Sequence, residues 1–129
     1  MEQRAARDLA RSGITPEDAE AAGIFYTANA SELYSEFKPL PALVLPYFDV
    51  RGEPVTFQRD GTTQPFCRVR YLDEPKQAGF IKTKQLRYGQ PARSGTKAYF
   101  PIVNGVDWCN ISSDIGRALL VTEGEKKTL

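Results

Sequence analysis

The chain has 129 residues, of which 41% are hydrophobic and 26% charged, which is enough for one small domain with a modest core and too little for two complete domains. Its 17 Lys and Arg residues against 16 Asp and Glu residues give a net charge of +1, which by itself indicates neither a nucleic acid nor a membrane as the partner. Two cysteines far apart in the sequence and the lack of histidine exclude a zinc ribbon, a zinc finger and any catalytic centre with a histidine base.

The first 24 residues predict a helical hairpin. Apolar residues recur at helical spacing up to Ser12 and Gly13, a pair that is typical of a helix end. A second helix is predicted to begin after Thr15, a good N-cap, with Pro16 at its first position, and to end at Gly23.

The second predicted helix is acidic, since it contains Glu17, Asp18 and Glu20. These side chains would repel phosphates, so a helix-turn-helix that reads DNA is disfavoured. We expect the hairpin to pack against the rest of the domain or to dock on a protein partner through these three residues.

The chain then changes to strand-like runs separated by turn clusters. The runs with strand-like composition are 42–48, 54–59, 66–72, 79–86, 97–102 and 118–123, and the loop-like segments include 89–96 and 104–116. Pro46 within the first run indicates an edge strand or a bulge. The predicted fold class is therefore α+β, with the helical hairpin at 1–24 followed by a mainly antiparallel sheet, a β-meander, within 40–103.

Charge is distributed unevenly along the chain. Residues 1–38 contain four positive and seven negative side chains, whereas residues 59–97 contain nine positive and three negative ones. Strand alternation places Phe66, Arg68 and Arg70 on one side and Cys67 and its alternate neighbours on the other.

A cationic sheet face is the hypothesis that follows from this charge distribution. Its predicted basic residues are Arg68, Arg70, Lys82, Lys84, Arg87, Arg93 and Lys97. With Phe66, Tyr88 and Tyr99 as stacking groups, such a face would suit single-stranded nucleic acid. An ordinary solvated sheet face remains the alternative, because Lys and Arg are common there.

Two further segments are candidates for chemistry. The loop with Ser94, Gly95 and Thr96 between two basic residues offers backbone donors for a phosphate, although an ordinary turn is the more common explanation. The apolar run at 118–123 ends at Glu123 and is followed by Gly124, an arrangement by which α/β folds place a carboxylate at a sheet edge.

Four blocks of the sequence, in the order "DLARSGITPEDAEAAGI", "LVLPYFDVRGEPVTFQR", "RYGQPARSGTKAYFP" and "ALLVTEGEKKTL", resemble the region that precedes a TOPRIM-like domain in phage and plasmid replication proteins of the primase or primase-helicase kind. The last block resembles the first TOPRIM motif. The resemblance implies that 1–117 form a primase-associated N-terminal domain and that 118–129 are the start of a TOPRIM-like domain.

The resemblance also implies a catalytic Mg²⁺ site that contains Glu123 and a later D-x-D pair. No D-x-D follows Glu123 in these 129 residues, so no metal or cofactor is expected for this chain alone. The expected function is a non-catalytic, nucleic-acid-binding accessory domain that binds single-stranded DNA weakly.

Two alternatives stay open. The first alternative is a protein-interaction or inhibitor module of a mobile element that docks on a replication or defence protein. The second is a TOPRIM-type phosphoryl-transfer enzyme that another chain completes. The run at 118–123 would pair with other strands or with a second copy, which makes a dimer possible. No signal peptide or membrane span is evident, so a cytoplasmic protein is expected.

Overall fold

The fold is mixed α+β, as the sequence predicts, in a computed structural model that describes residues 1–72 and 87–122. The elements, in chain order, are α1 (Gln3–Ala10), α2 (Pro16–Ala21), β1 (Phe25–Thr27), a 3₁₀ turn (Ala30–Glu32), β2 (Ala42–Pro46), β3 (Thr56–Arg59), β4 (Thr62–Pro65), β5 (Cys67–Tyr71), β6 (Tyr88–Gly89) and α3 (Trp108–Ser113).

The helical hairpin is confirmed, and local sequence explains both of its helices. The Glu2 side chain caps α1 by accepting hydrogen bonds from the first backbone N–H groups. In α2, Thr15 and Asp18 form a reciprocal capping box, and proline is at the start of the helix. Gly13 and Gly23 follow the two helices with φ values of 74° and 71°, the left-handed conformation that ends a helix most easily at glycine.

The sheet topology differs from the simple meander expected from the sequence. The four-stranded sheet has the order β1-β2-β5-β6, with every neighbouring pair antiparallel, and β3 and β4 form a separate two-stranded hairpin. This hairpin lies in the connection between the neighbouring strands β2 and β5. Its second strand, Thr62–Pro65, occupies a segment for which the sequence predicts a turn cluster. The actual turn is the pair Asp60 and Gly61, with φ values of 52° and 73°, a two-residue connection of the type that favours Asp-Gly.

Pro46 is the last residue of β2, an inner strand between β1 and β5. The prediction of an edge strand is therefore wrong for β2 as a whole. Pairing with β1 extends only to Val44, whereas pairing with β5 continues to Pro46 opposite Cys67. The proline thus occupies a position where β1 requires no hydrogen bond from it, which is how a proline is tolerated in a sheet.

Two hydrophobic clusters cover the two faces of the four-stranded sheet, because residues of β2 alternate between them. Ala42 and Val44 belong to one and Leu43 and Leu45 to the other. We call the first the aromatic cluster; its buried residues are Ala30, Tyr34, Phe37, Ala42, Val44, Tyr47, Phe57, Phe66, Cys67, Val69 and Tyr71. We call the second the helix-side cluster; its buried residues are Ala5, Leu9, Ile14, Ala19, Ala22, Ile24, Leu43 and Leu45.

The C-terminal part corrects three expectations. Residues 97–102 are not in a strand, and the expected loop 104–116 contains α3, which Asp107 caps by accepting from the Asn110 backbone N–H. Residues 118–122 are not in a strand either, so the strand predicted at 118–123 is wrong for the residues described. The expected strand at 79–86 and residues 123–129 lie outside the described residues.

Candidate nucleic-acid interface

Arg68 and Arg70 lie on the helix-side face of the sheet, the face on which α1 and α2 pack. Along β5, Cys67, Val69 and Tyr71 are buried in the aromatic cluster, whereas the two arginines between them are only partly buried. The predicted alternation is therefore confirmed for the residues of β5. The two guanidinium groups emerge beside the helical hairpin, and this face of the sheet is only partly open to solvent.

Arg70 is engaged by Asp8 of α1. The arginine donates from Nε to Oδ2 at 2.6 Å and from Nη2 to Oδ1 at 2.8 Å, and both side chains are largely withdrawn from solvent, with 18% and 14% exposure. These hydrogen bonds raise the pKa of Arg70 further above its usual value. A two-point pair of this geometry is specific as well as strong. It ties α1 to the sheet, and it partly neutralises one of the predicted binding residues.

Tyr88 lies directly beside both arginines. It is the cross-strand partner of Arg70, so the two side chains share a face of the sheet. The guanidinium carbons of Arg68 and Arg70 are 5.2 and 5.4 Å from the centre of the Tyr88 ring, which is within the range of cation–π attraction. Arg87, which directly precedes Tyr88, is exposed. Arg68, Arg70 and Tyr88 therefore come together on one face of the sheet, with Arg87 adjacent to Tyr88 in the chain, and we call these four residues the edge cluster.

Arg93 does not belong to the edge cluster. Its Nη2 lies 3.0 Å from Oδ2 of Asp60, at the turn between β3 and β4. That hairpin packs through Phe57 against the aromatic cluster, on the opposite side of the sheet from the helices. Lys97 is partly buried. The structure thus places Arg93 away from Arg68 and Arg70, and a single continuous surface through all three is not formed.

Of the three proposed stacking residues, Phe66 is buried and Tyr99 is partly buried against other rings. Phe66 is 2% exposed and packs edge-on against Tyr47 with ring centres 4.7 Å apart. Tyr99 packs against the same ring at 4.9 Å and adjoins the aromatic cluster. The interpretation of Phe66 as a stacking group is wrong, because the residue precedes β5 and turns into the core. Only Tyr88 remains beside the arginines.

The loop around Ser94 is closed on groups of the protein itself. The Ala92 backbone N–H donates to Oε1 of Glu36 at 3.0 Å, and Arg59 binds the same carboxylate. This hydrogen bond from Arg59 is the main cause of the lowered pKa of Glu36. The Ser94 hydroxyl is buried and donates to the Pro91 carbonyl at 2.6 Å. An internal carboxylate holds the position next to the loop, which favours the ordinary-turn interpretation over phosphate binding.

The acidic residues of α2 are exposed, as a docking surface requires. Glu17, Asp18 and Glu20 all lie on the solvent side, while Ala19 between them is buried. Asp18 also has a structural task, because its carboxylate accepts from the Thr15 backbone and hydroxyl at 3.3 and 2.8 Å. Glu17 and Glu20 are therefore the better candidates for contact with a partner.

Lys82, Lys84 and Glu123 lie outside the described residues, and their assignments stay predictions. Within residues 1–72 and 87–122, no group of three or more Cys, Asp or Glu side chains is arranged to hold a metal ion. In the same ranges, no helix is both long and apolar enough to cross a membrane.

Asp8 is the functional neighbour that sequence reasoning missed. It is separated from Arg70 by 62 residues, and no local spacing links an aspartate on a helix to an arginine on a distant strand.

Comparison with known proteins adds no relative to this description. No protein-family model, no curated protein and no solved structure matches the chain at a significant level.

Proposed function

We propose that this chain is a nucleic-acid-binding accessory domain that binds single-stranded DNA weakly through the edge cluster. The observation that supports this proposal is the position of Tyr88, which lies beside Arg68 and Arg70 on one face of the sheet and directly follows the exposed Arg87 in the chain. Aromatic rings beside cationic side chains are the groups on which single strands are held, since bases stack on rings and phosphates attract guanidinium groups.

The positive charge available at the edge cluster is smaller than its sequence suggests. Arg70 shares its charge with Asp8, so it contributes less to the attraction for phosphates than a solvated arginine would. Few phosphate contacts give weak binding that weakens further with salt. Lys82 and Lys84 lie outside the described residues, and their part in binding stays a prediction.

The kind of replication protein in which such a domain would act rests on the sequence resemblance alone. We place it in the non-catalytic region that precedes the TOPRIM-like domain of a phage or plasmid primase. Mg²⁺ belongs to the complete family site with its D-x-D pair, and no step of catalysis is assigned to the described residues.

The test is a titration of labelled oligo(dT) by fluorescence anisotropy at several salt concentrations. Arg68→Gln combined with Arg87→Gln is expected to weaken binding and to lower the slope of log K against log salt by about 0.7 for each phosphate that is no longer neutralised. The matched control is Arg51→Gln with Arg117→Gln, which removes the same charge from two exposed arginines elsewhere. Absence of binding by the wild type at low salt, or equal slopes for both variants, would contradict the proposal.

A protein-docking role is the second candidate, and the exposure of Glu17 and Glu20 favours it. In that case a replication or defence protein would be retained by the chain in a pull-down that nuclease treatment does not disturb. Glu17→Lys with Glu20→Lys would abolish the retention. Asp18 is left intact in this experiment because it caps α2.

A further inference from the structure

Helix α1 presents a stripe of arginines that lies outside the edge cluster. Arg4, Arg7 and Arg11, all exposed, are spaced three and four residues apart at the helix and its C-cap. At about 100° per residue, this spacing places the three side chains within about 60° of one another around the axis. They extend over about 10 Å along the helix at a rise of about 1.5 Å per residue. We call these residues the arginine stripe.

Two kinds of contact fix the rotation of α1 and so the direction in which the stripe faces. Ala5 and Leu9 are buried in the helix-side cluster. Asp8, which follows Arg4 by one turn, binds Arg70 of the sheet. Around the helix, Asp8 falls between the buried positions and the stripe. The stripe therefore lies on the solvent side of α1, where Arg4 and Arg11, one turn before and one turn after Asp8, adjoin the side chain that binds Arg70.

The two acidic side chains of α1 and its N-cap, Glu2 and Asp8, are each bound to other groups in the described part of the chain. The Glu2 carboxylate accepts from the backbone N–H groups of Arg4 and Ala5 at 2.9 and 3.3 Å. The Asp8 carboxylate accepts two hydrogen bonds from Arg70. Each acid is therefore oriented toward a partner on the helix end or on the sheet. The exposed side of α1 carries three arginines even though residues 1–38 as a whole are acidic.

We propose that the arginine stripe is a binding track for the phosphate backbone of the same single strand that contacts the edge cluster. This inference rests on the proposed function and extends the site from the sheet onto α1. A strand stacked at about 3.4 Å per phosphate would pass about three phosphates over a stripe about 10 Å long. Guanidinium groups suit this task because their planar donors match phosphate oxygens. The track has no groups that contact bases, so its contribution is independent of sequence.

The experiment compares Arg7→Gln with Arg11→Gln against the Arg51→Gln, Arg117→Gln control in the oligo(dT) titration. Removing the neutralisation of two phosphates lowers the salt slope by about 1.4, so the decrease in affinity between 50 and 200 mM salt becomes about sevenfold smaller than in the wild type. The control variant keeps the wild-type slope. Glutamine is a good helix former, so thermal unfolding of the stripe variant should match that of the wild type.

The outcomes separate this inference from the function on which it rests. Failure of the wild type to bind overturns both. Binding that is weakened by the Arg68, Arg87 variant while the stripe variant keeps the wild-type slope overturns the stripe alone. An equal decrease of slope in the stripe variant and in the Arg51, Arg117 control shows a general charge effect and also overturns it.

Discussion

The two faces of the four-stranded sheet are covered in different ways. On one face, the aromatic cluster packs tyrosine and phenylalanine rings edge to face, and the β3–β4 hairpin folds over them. On the other, α1 and α2 contribute mostly alanines and short aliphatic side chains, and two arginines of β5 remain at the border. A face closed by large rings contributes mainly stability, whereas a face covered by small helices leaves room for polar groups at its margin. The candidate site lies at the margin of the face on which the two small helices pack.

The largest expected effect is the removal of a large ring from the aromatic cluster. Phe66→Ala removes a side chain that is 2% exposed and packs against two other rings, so we expect a decrease of about 3–5 kcal/mol in the free energy of unfolding. Urea denaturation measures this decrease. The comparison between the faces would be wrong if Leu9→Ala, in the helix-side cluster, cost more than Phe66→Ala.

The next effect concerns the join between α1 and the sheet. Asp8→Asn leaves the guanidinium of Arg70 without its charged acceptor, and we expect a decrease of about 1–3 kcal/mol in the free energy of unfolding. Because the substitution also removes a negative charge beside the arginine stripe, binding of oligo(dT) should become tighter. A double-mutant cycle with Arg70→Met isolates the pair. Weaker binding by Asp8→Asn, with the fold intact, would contradict the placement of the site.

Gly89 tests how closely β6 approaches β5. A Cβ at this position would lie 2.8 Å from the Tyr71 hydroxyl and 3.1 Å from Cγ2 of Val69. Gly89→Ala should therefore displace the hydroxyl from the Lys38 backbone N–H that it accepts from, at a cost of about 1–3 kcal/mol. Gly52→Ala is the control for glycine replacement, because nothing lies within 4 Å of its added Cβ, although its φ of 77° adds strain. Equal melting temperatures for Gly89→Ala and the wild type would contradict the close approach of residue 89 to Tyr71 and Val69.

We expect Glu36, which binds Arg59 of the β3–β4 hairpin, to make the stability of the fold depend on pH in the acid range. Its pKa is lowered in the folded state, chiefly by the hydrogen bond from Arg59. A carboxyl whose pKa is lowered by folding stabilises the fold fully at pH values above its usual pKa of about 4.5. This stabilisation is lost as the pH falls through the folded-state pKa. Denaturation at pH 7 and pH 3 should therefore show a smaller difference for Glu36→Gln than for the wild type. An unchanged difference would exclude Glu36 as a contributor.

The smallest effect is expected from the exposed apolar residues at the end of the described range 87–122. Leu120 and Val121 are 85% and 81% exposed, so Leu120→Ser should change the free energy of unfolding by no more than about 0.5 kcal/mol. A larger decrease would mean that another part of the protein covers this segment. Sedimentation velocity then shows whether the covering part is a second copy, because the wild type would sediment as a dimer and the variant as a monomer.

Local signals predict the elements whose causes are local. Thr15, Pro16 and Gly23 define α2 by capping and backbone preference, and alternation along β5 follows from burial on one face. The strand Thr62–Pro65 is hard to predict because threonine and proline next to Asp-Gly are typical of turns, although hairpin pairing with β3 decides the structure. Helix α3 lies in a polar segment in which the Asp107 cap is the main signal.

The site is predictable only in part, because only some of its contacts have local causes. Charge and alternation identify Arg68 and Arg70, and the structure brings both to Tyr88. The separation of Arg93 onto the other side of the sheet depends on the β3–β4 hairpin, and the pairing of Arg70 with Asp8 depends on how α1 packs. Both are tertiary facts that neither periodicity nor composition contains.

The two-residue turn at Asp60 and Gly61 also bears on the order of folding. Both residues already favour the left-handed conformation that the turn requires, and the strands that they join are adjacent in the chain. Hairpins of this kind form in about 1–10 μs, whereas the pairing of Asp8 with Arg70 must close a loop of 62 residues. We therefore expect the β3–β4 hairpin to be an early, local structure and the docking of α1 to be a late event. The proposed phosphate track would then be completed only as the last part of the domain folds.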